Sequence, residues 1–177
     1  MERGVADPRT IKQIFERNIE LLTHRPGRGL LTFATTARLV DGLRCEIEDG
    51  AWRLAADMPA KIGGSETAPS PGALGRGALA SCLVIGLSRW AARLGVPLEA
   101  LEVEVEADLD ARGELGMGEE IPPGYGEVRY TISIRSSAPR ELVKDLIATA
   151  ERHSPYLDIF GRAVALRGIR HVNGEGA

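Results

Sequence analysis

Two cysteines, Cys45 and Cys82, are the residues of this sequence best suited to redox chemistry. A cysteine thiolate reduces a peroxide and becomes a sulfenic acid, which a second thiol can convert to a disulfide. The pair forms no CxxC motif, so a disulfide framework or a cysteine zinc site is not expected. Cys82 lies in an apolar segment, where a free cysteine is equally typical of a core residue. Cys45, in the strand pattern Arg44-Cys45-Glu46, is interpreted as an ordinary inward-facing thiol.

Other kinds of site find little support in the residue spacing. The histidines His24, His153 and His171 are far apart, without cysteines or carboxylates at metal spacing, so we expect no metal ion and no cofactor. The neighbours His153 and Ser154 do not predict a hydrolase, because no GxSxG motif is present. The acidic stripe of residues 102–108 is interpreted as a solvated sheet face.

Composition and charge exclude several classes of protein. Hydrophobic residues make up 44% and charged residues 27% of 177 residues, which is typical of a globular protein. The formal net charge is −3 and basic residues do not cluster with aromatic ones, so no nucleic-acid partner is expected. The longest apolar run, around Cys82–Gly86, is too short to span a membrane. Residues 1–4 lack an apolar signal core, and we therefore expect a cytoplasmic protein.

The segment Ala73–Leu94 is predicted to be the buried helix that positions Cys82. Only Arg76, Arg89 and Arg93 interrupt its apolar sequence, and Gly95 is typical of a helix C-cap. The first half is rich in glycine, alanine and serine, although each interior glycine costs a helix about 0.5–1 kcal/mol. Such small residues allow close approach of another backbone, so we expect this helix to pack against a second helix.

The remaining elements predict an α+β fold with antiparallel sheets. Three- and four-residue apolar spacing predicts a helix before residue 24, and Asp41-Gly42 and Asp49-Gly50 predict two hairpins. Ser137 is a candidate N-cap for a later helix. The predicted helices are Pro8–Thr23 and Pro139–His153; the strands are Leu30–Leu39, Leu43–Glu48, Trp52–Asp57, Leu101–Leu109, Val128–Ile134 and Val164–Val172; the loops or turns are 59–71, 113–126 and Tyr156–Phe160.

The stretch from Gly63-Gly64 through Pro69-Ser70-Pro71 to Ala80-Ser81-Cys82 resembles the OsmC/Ohr family of organic-hydroperoxide-handling proteins. The order of elements from about Leu30 to the C-terminus is also similar. The resemblance implies an N-terminal helical extension, residues 1–28, before an OsmC-like domain, residues 29–177. It also implies an intertwined homodimer, in which antiparallel sheets wrap around two central helices.

Family peroxidases use two cysteines with an arginine and a glutamate near the first. On this resemblance Cys82 matches the peroxide-attacking cysteine, whereas Ser154 stands where the second cysteine is expected and Gly72 where the glutamate is expected. For the arginine, the resemblance implies Arg44, with Arg38 as the second choice. Glu66, in the loop before Pro69, is a candidate replacement for the missing acid.

Three functions follow as hypotheses. The first is one-cysteine, thiol-dependent reduction of organic hydroperoxides through Cys82, assisted by Arg44, with Arg38, Glu66 and Ser154 as binding residues. An external thiol is then the reductant, because Ser154 cannot form a disulfide. The alternative is a non-catalytic dimer that binds an apolar small molecule. A purely structural or adaptor role is the third.

Overall fold

Five helices and seven strands occupy the part of the chain that the computed structural model describes, residues 7–173 and the backbone of residues 175–176. The prediction that residues 1–4 carry no export signal falls outside the described residues. The helices are α1 Pro8–His24, α2 Pro71–Leu94, α3 Ala111–Glu114, α4 Arg140–Arg152 and α5 Pro155–Gly161. The strands are β1 Thr35–Asp41, β2 Arg44–Asp49, β3 Trp52–Ala56, β4 Ala100–Leu109, β5 Tyr125–Arg135, β6 His171–Val172 and β7 Glu175–Gly176. All pairings are antiparallel, which confirms the predicted α+β class.

Helix α2 begins and ends at residues that cap helices well. The Ser70 side chain accepts a hydrogen bond from the Ala73 amide at 3.2 Å, and Pro71 occupies the first helical position. Gly95 closes the helix in the left-handed conformation, with φ of 73°. These caps extend the helix two residues before the predicted start.

The buried core lies along the second half of α2. Leu87 and Leu146 are fully buried and pack α2 against α4. Alternate residues of β4 and β5 cover the same core, whereas the glutamates of β4 that lie between them face away from it. The clustered buried residues are Leu87, Ala91, Val96, Leu146 and Ala150.

Helix α1 packs on α2 through aromatic rings and cations. The Phe15 ring meets Trp90 edge-on, with centroids 5.0 Å apart, and the Arg93 guanidinium lies over both rings. Arg93 also donates a hydrogen bond to the Glu16 carboxylate at 3.1 Å. Helix α1 is therefore joined to the core helix, and the predicted division of the chain at residue 28 stays a prediction.

Strands β1, β2 and β3 form a meander with one apolar and one charged face. On the charged face, the Glu48 carboxylate pairs with Arg38 at 3.3 Å and with Arg53 at 3.4 Å. The opposite face, which we call the meander apolar face, is exposed over most of its area: Leu39 is 73% and Leu54 is 54% exposed, whereas Ala56 at one end is buried. This face consists of Ala37, Leu39, Cys45, Ile47, Trp52, Leu54 and Ala56.

Two predicted strands are longer than the observed ones. The strand predicted over Leu30–Leu39 begins only at Thr35, because its partner β2 ends at Asp49, opposite Thr35. The strand predicted over Val164–Val172 is limited to β6, and residues 164–170 pair with no strand in the described part of the chain. A β-strand needs a hydrogen-bonding neighbour as well as a suitable sequence.

The ends of the later helices also differ from the prediction. Helix α4 begins at Arg140 after an extended Pro139, and Ser137 is not its cap. The hydroxyl of Ser136 instead accepts a hydrogen bond from the Ala138 amide at 3.1 Å, which makes a local turn before the helix. The turn predicted over Tyr156–Phe160 lies within helix α5, and the predicted loops contain the 3₁₀ turn Ala60–Ile62 and part of α3.

Within the described residues, α2 is the one helix whose length and composition would allow it to cross a membrane. A core helix of a globular protein satisfies the same criteria. In this structure α2 packs against α1, α4, α5 and β4.

Candidate functional site

Cys82 lies in the middle of α2, half-buried, with its sulfur next to the hydroxyl of Ser154. The distance from Cys82 Sγ to Ser154 Oγ is 3.8 Å, and Ser154 is only 6% exposed. Leu79 and Leu83, one turn before Cys82 and beside it, are fully buried and hold this part of the helix in place. The structure thus brings together two candidate residues that are far apart in sequence.

The Ser154 side chain is held at the junction of α4 and α5. Its amide donates to the Glu151 carbonyl at 3.1 Å, and its Oγ caps α5 by accepting a hydrogen bond from the Leu157 amide at 3.4 Å. The hydroxyl hydrogen remains available for Cys82. A thiolate at Cys82 could only accept in this contact, so Ser154 is placed to donate one stabilising hydrogen bond to it.

The other candidates are not joined to this pair within one chain. Arg44, with a side chain 33% exposed, pairs with Glu46 at 3.6 Å, and Arg38 pairs with Glu48 on the charged face of the meander. In the described residues, neither arginine has a hydrogen bond or ion pair to Cys82. Glu66 is exposed, in left-handed backbone geometry with φ of 53°, and has no such contact there either.

Asp57, at the end of the meander, organises the loop that leads to α2. Its carboxylate, 1% exposed, accepts hydrogen bonds from the amides of Met58 at 2.7 Å, Ser65 at 3.2 Å and Thr67 at 3.0 Å. The Thr67 hydroxyl adds a bond of 2.9 Å. One carboxylate therefore holds both ends of the loop over residues 58–67.

The glycine pair in this loop has a steric reason. Gly63 has φ of 92°, in the left-handed region that favours glycine. A Cβ on Gly64 would lie 1.8 Å from the carbonyl oxygen of Met58, which no other residue could tolerate. The two glycines let the chain fold back under the Asp57 carboxylate before α2 begins.

Replacing Asp57 by asparagine is expected to destabilise the protein in a pH-dependent way. Hydrogen bonds from the loop, chiefly the Thr67 amide, lower the pKa of Asp57 to about 2 against an ordinary 3.8. A lowered folded-state pKa stabilises the fold above the ordinary pKa, and this contribution is lost as the pH falls towards 2. Urea unfolding of wild type and Asp57→Asn should therefore differ most at pH 6 and progressively less below pH 4. Asp145→Asn, on the exposed side of α4, is the matched control, and an equal difference at pH 6 and pH 3 would contradict the prediction.

One polar group that the sequence patterns did not single out lies at the start of α2. Arg76 Nη1 donates to the Tyr125 hydroxyl at 3.2 Å, and that hydroxyl donates to the Gly72 carbonyl at 3.2 Å. The rarity of charge in α2 is the signal that could have singled out Arg76. Tyr125 carried no such signal, because it was predicted to lie in a loop.

Two cavities are both lined in part by Tyr125. One, of about 740 Å³, is lined by the start of α2, the loop after β3, and residues of β4, α3 and β5. The other, of about 640 Å³, is lined by residues near the Cys82–Ser154 pair, including Leu79 and Leu157. Tyr130 also lines the second cavity and donates a hydrogen bond to Glu151 at 2.8 Å; burial and this carboxylate raise the pKa of Tyr130 to about 12. In the described residues no group of three or more histidines, cysteines and acids is placed to hold a metal ion.

Comparison with models of known protein families identifies the family of this chain. The model of the OsmC-like protein family matches residues 63–167, which is more than half of the chain. The chain belongs to the OsmC-like protein family. The OsmC-like region includes Gly63-Gly64, all of α2 and both members of the Cys82–Ser154 pair, whereas Arg38 and Arg44 precede it.

Solved structures share the OsmC-like fold. An OsmC-like protein from Mycoplasma pneumoniae is 15% identical with a TM-score of 0.64, over 74% of this chain and 88% of that chain. An organic hydroperoxide resistance protein OsmC from Legionella pneumophila is 22% identical with a TM-score of 0.53, over 73% and 88%. An organic hydroperoxide resistance protein from Elizabethkingia anophelis, with crystallant-derived thiocyanate bound, is 20% identical with a TM-score of 0.54, over 73% and 87%. No curated protein matches this chain with significant similarity.

Proposed function

We propose that this OsmC-like protein reduces organic hydroperoxides through Cys82 alone. The observation that carries the proposal is the 3.8 Å contact between Cys82 Sγ and Ser154 Oγ on the central helix of the fold. Two similar structures are named organic hydroperoxide resistance proteins, which supports the same class of substrate. Because a serine faces the sulfur, the oxidised cysteine has to be reduced by a thiol from outside the protein.

The proposed reaction has two stages. The Cys82 thiolate attacks the terminal oxygen of the hydroperoxide; the O–O bond breaks, an S–O bond forms, and the alkoxide takes a proton to leave as an alcohol. An external thiol then attacks the sulfenic acid, releasing water and forming a mixed disulfide. A second thiol cleaves that disulfide, restores Cys82 and carries away the oxidised pair. We place this reaction in the cytoplasm, where low-molecular-weight thiols are kept reduced.

We further propose that the site is completed by a second copy of the chain, in an intertwined homodimer. Exposed residues of α2, including Gly77, Ser81 and Ile85, follow one another at four-residue spacing on one side of the helix. The meander apolar face is also uncovered, and large exposed apolar surfaces are typical of interfaces. In such a dimer Arg44, at the first residue of β2, would stabilise the thiolate of the partner subunit. Arg38, the second choice from the sequence, pairs with Glu48 on the charged face instead.

Substitution of Cys82 by serine tests the catalytic proposal. Wild type, incubated with cumene hydroperoxide, should gain one oxygen at Cys82 by mass, and it should consume more than one equivalent of peroxide only when a thiol is added. Cys82→Ser should fall to the rate of thiol and buffer alone, while Cys45→Ser keeps the wild-type rate. An unmodified Cys82 in excess hydroperoxide, or equal turnover by Cys82→Ser, would rule out the proposed reaction.

A second candidate function is binding of an apolar small molecule without catalysis. The cavity of about 740 Å³ favours it, because this volume is within the range of small-molecule sites and its lining is mostly apolar. The cavity is lined by Gly72 and Arg76 of α2, and Cys82 is not among its lining residues. Binding there does not depend on the reactivity of the thiol.

A further inference from the structure

The lining of the 740 Å³ cavity is apolar on one side and includes one cationic side chain, that of Arg76. Its apolar lining includes Leu43, Ile62, Leu109 and Leu115, which come from the meander, the loop after it, and the β4–α3 region. At the start of α2 the lining changes to Arg76 and the Tyr125 hydroxyl. A cavity of this kind suits a molecule with a long apolar part and one polar end.

The Arg76 guanidinium lacks a counter-ion in the described part of the chain. It is half-buried, and its hydrogen bond to Tyr125 joins it to a neutral group. Glu114 lines the same cavity, but it is an exposed residue and forms no ion pair with Arg76 in the described part of the chain. A partly desolvated cation without a partner is unfavourable, so an anion at this place would be attracted strongly.

Because residue 72 is glycine, no side chain crowds the Tyr125 hydroxyl and the Arg76 guanidinium. A Cβ at this position would lie 3.1 Å from the Tyr125 hydroxyl and 3.5 Å from Arg76 Nη1. An acidic side chain at residue 72 would push the Tyr125 hydroxyl aside and lie within reach of Arg76. With glycine there, this charge is left for a ligand.

We propose that this cavity binds amphipathic carboxylates, with the carboxylate on Arg76 and Tyr125 and the alkyl chain along the apolar wall. The guanidinium offers several N–H donors to a carboxylate. This inference rests on the second candidate function and names the class of its ligand.

Isothermal titration calorimetry with decanoate and decan-1-ol tests the inference. Wild type should bind decanoate at least about tenfold more tightly than decanol, since a hydrogen bond to a charged group exceeds one between neutral groups. Arg76→Gln should lose this preference and keep its affinity for decanol. Arg89→Gln, which removes an exposed cation elsewhere on α2, should behave as wild type. Equal affinities of wild type for the two ligands, or a preference that survives Arg76→Gln, would overturn the inference.

Two more variants test the position of the carboxylate and the independence of this site from Cys82. Gly72→Glu should abolish decanoate binding by supplying an internal partner for Arg76, and undiminished binding would count against the proposed position of the carboxylate. Cys82→Ser should bind decanoate as wild type does, even if peroxide turnover is lost; a loss of binding would overturn the assignment to this cavity. If neither decanoate nor decan-1-ol binds to wild type, both the inference and the second candidate function are overturned.

Discussion

Replacing Ser154 by cysteine is expected to produce a protein that forms an intramolecular disulfide with Cys82 on exposure to an organic hydroperoxide. The Oγ of Ser154 lies 3.8 Å from Cys82 Sγ, and a disulfide bond is about 2.0 Å long. The two sulfur atoms therefore need to approach by roughly 2 Å, which is within the reach of side-chain rotation. The new thiol would condense with the sulfenic acid of Cys82 and release water.

The disulfide should be visible in mass and in stability. Oxidised Ser154→Cys should be two hydrogens lighter than its reduced form, and a peptide containing Cys82 should be linked to one containing residue 154. The bond closes a loop of roughly 70 residues, which stabilises the fold by about 4 kcal/mol in the chain-entropy model. Loss of the Ser154 cap on α5 costs about 1 kcal/mol, so the oxidised variant should still be more stable than wild type.

The double variant Cys82→Ser, Ser154→Cys is the control for pairing with Cys45. It should keep its free thiols under the same treatment. In the single variant, the first reductive step should become independent of the concentration of external monothiol, because the partner sulfur is already in place. Three free thiols after treatment, at residues 45, 82 and 154, or stepwise oxygen addition at Cys82 in excess hydroperoxide, would contradict the proposed geometry of the site.

A lysine at Leu54 is expected to convert the proposed homodimer into a monomer. Leu54 lies opposite Ile47 on the meander apolar face and is 54% exposed in the single chain. If the second copy covers this face, Leu54→Lys buries an unpaired charge at the interface, and such a charge costs several kcal/mol. Sedimentation velocity should show a dimer for wild type and a monomer for the variant.

The charged face of the same meander offers a matched control. Thr36 is exposed and lies opposite Glu48, so the lysine of Thr36→Lys is placed to form an ion pair with the Glu48 carboxylate. This variant should remain dimeric. If Arg44 acts across the dimer, Leu54→Lys should also lose peroxide turnover although Cys82 is unchanged. A dimeric Leu54→Lys protein, or equal dissociation of both variants, would argue against the meander apolar face as the interface.

Much of the fold could be predicted from short stretches of sequence. Asp7, directly before Pro8, caps α1 by accepting a hydrogen bond from the Thr10 amide at 2.8 Å, and Gly95 ends α2 in the left-handed conformation, as predicted. The hairpin glycines Gly42 and Gly50 both have positive φ, as their Asp-Gly signals indicate. The alternation of β4 correctly predicts which residues face the core. Each of these features depends on residues within a few positions of one another, so the sequence contains them directly.

The site depended on contacts that no local pattern contains. The resemblance to a family suggested a role for Ser154, but only the tertiary structure brings its hydroxyl to Cys82, 72 residues earlier in the chain. The link from Arg76 to Tyr125 spans 49 residues and was not predicted. Strand ends such as Thr35 were likewise determined by the length of the neighbouring strand. Helix caps and hydrophobic periodicity depend on residues that are close together in sequence. The contact partners of a thiol or a guanidinium, and the length of an edge strand, depend on which distant segments pack beside them.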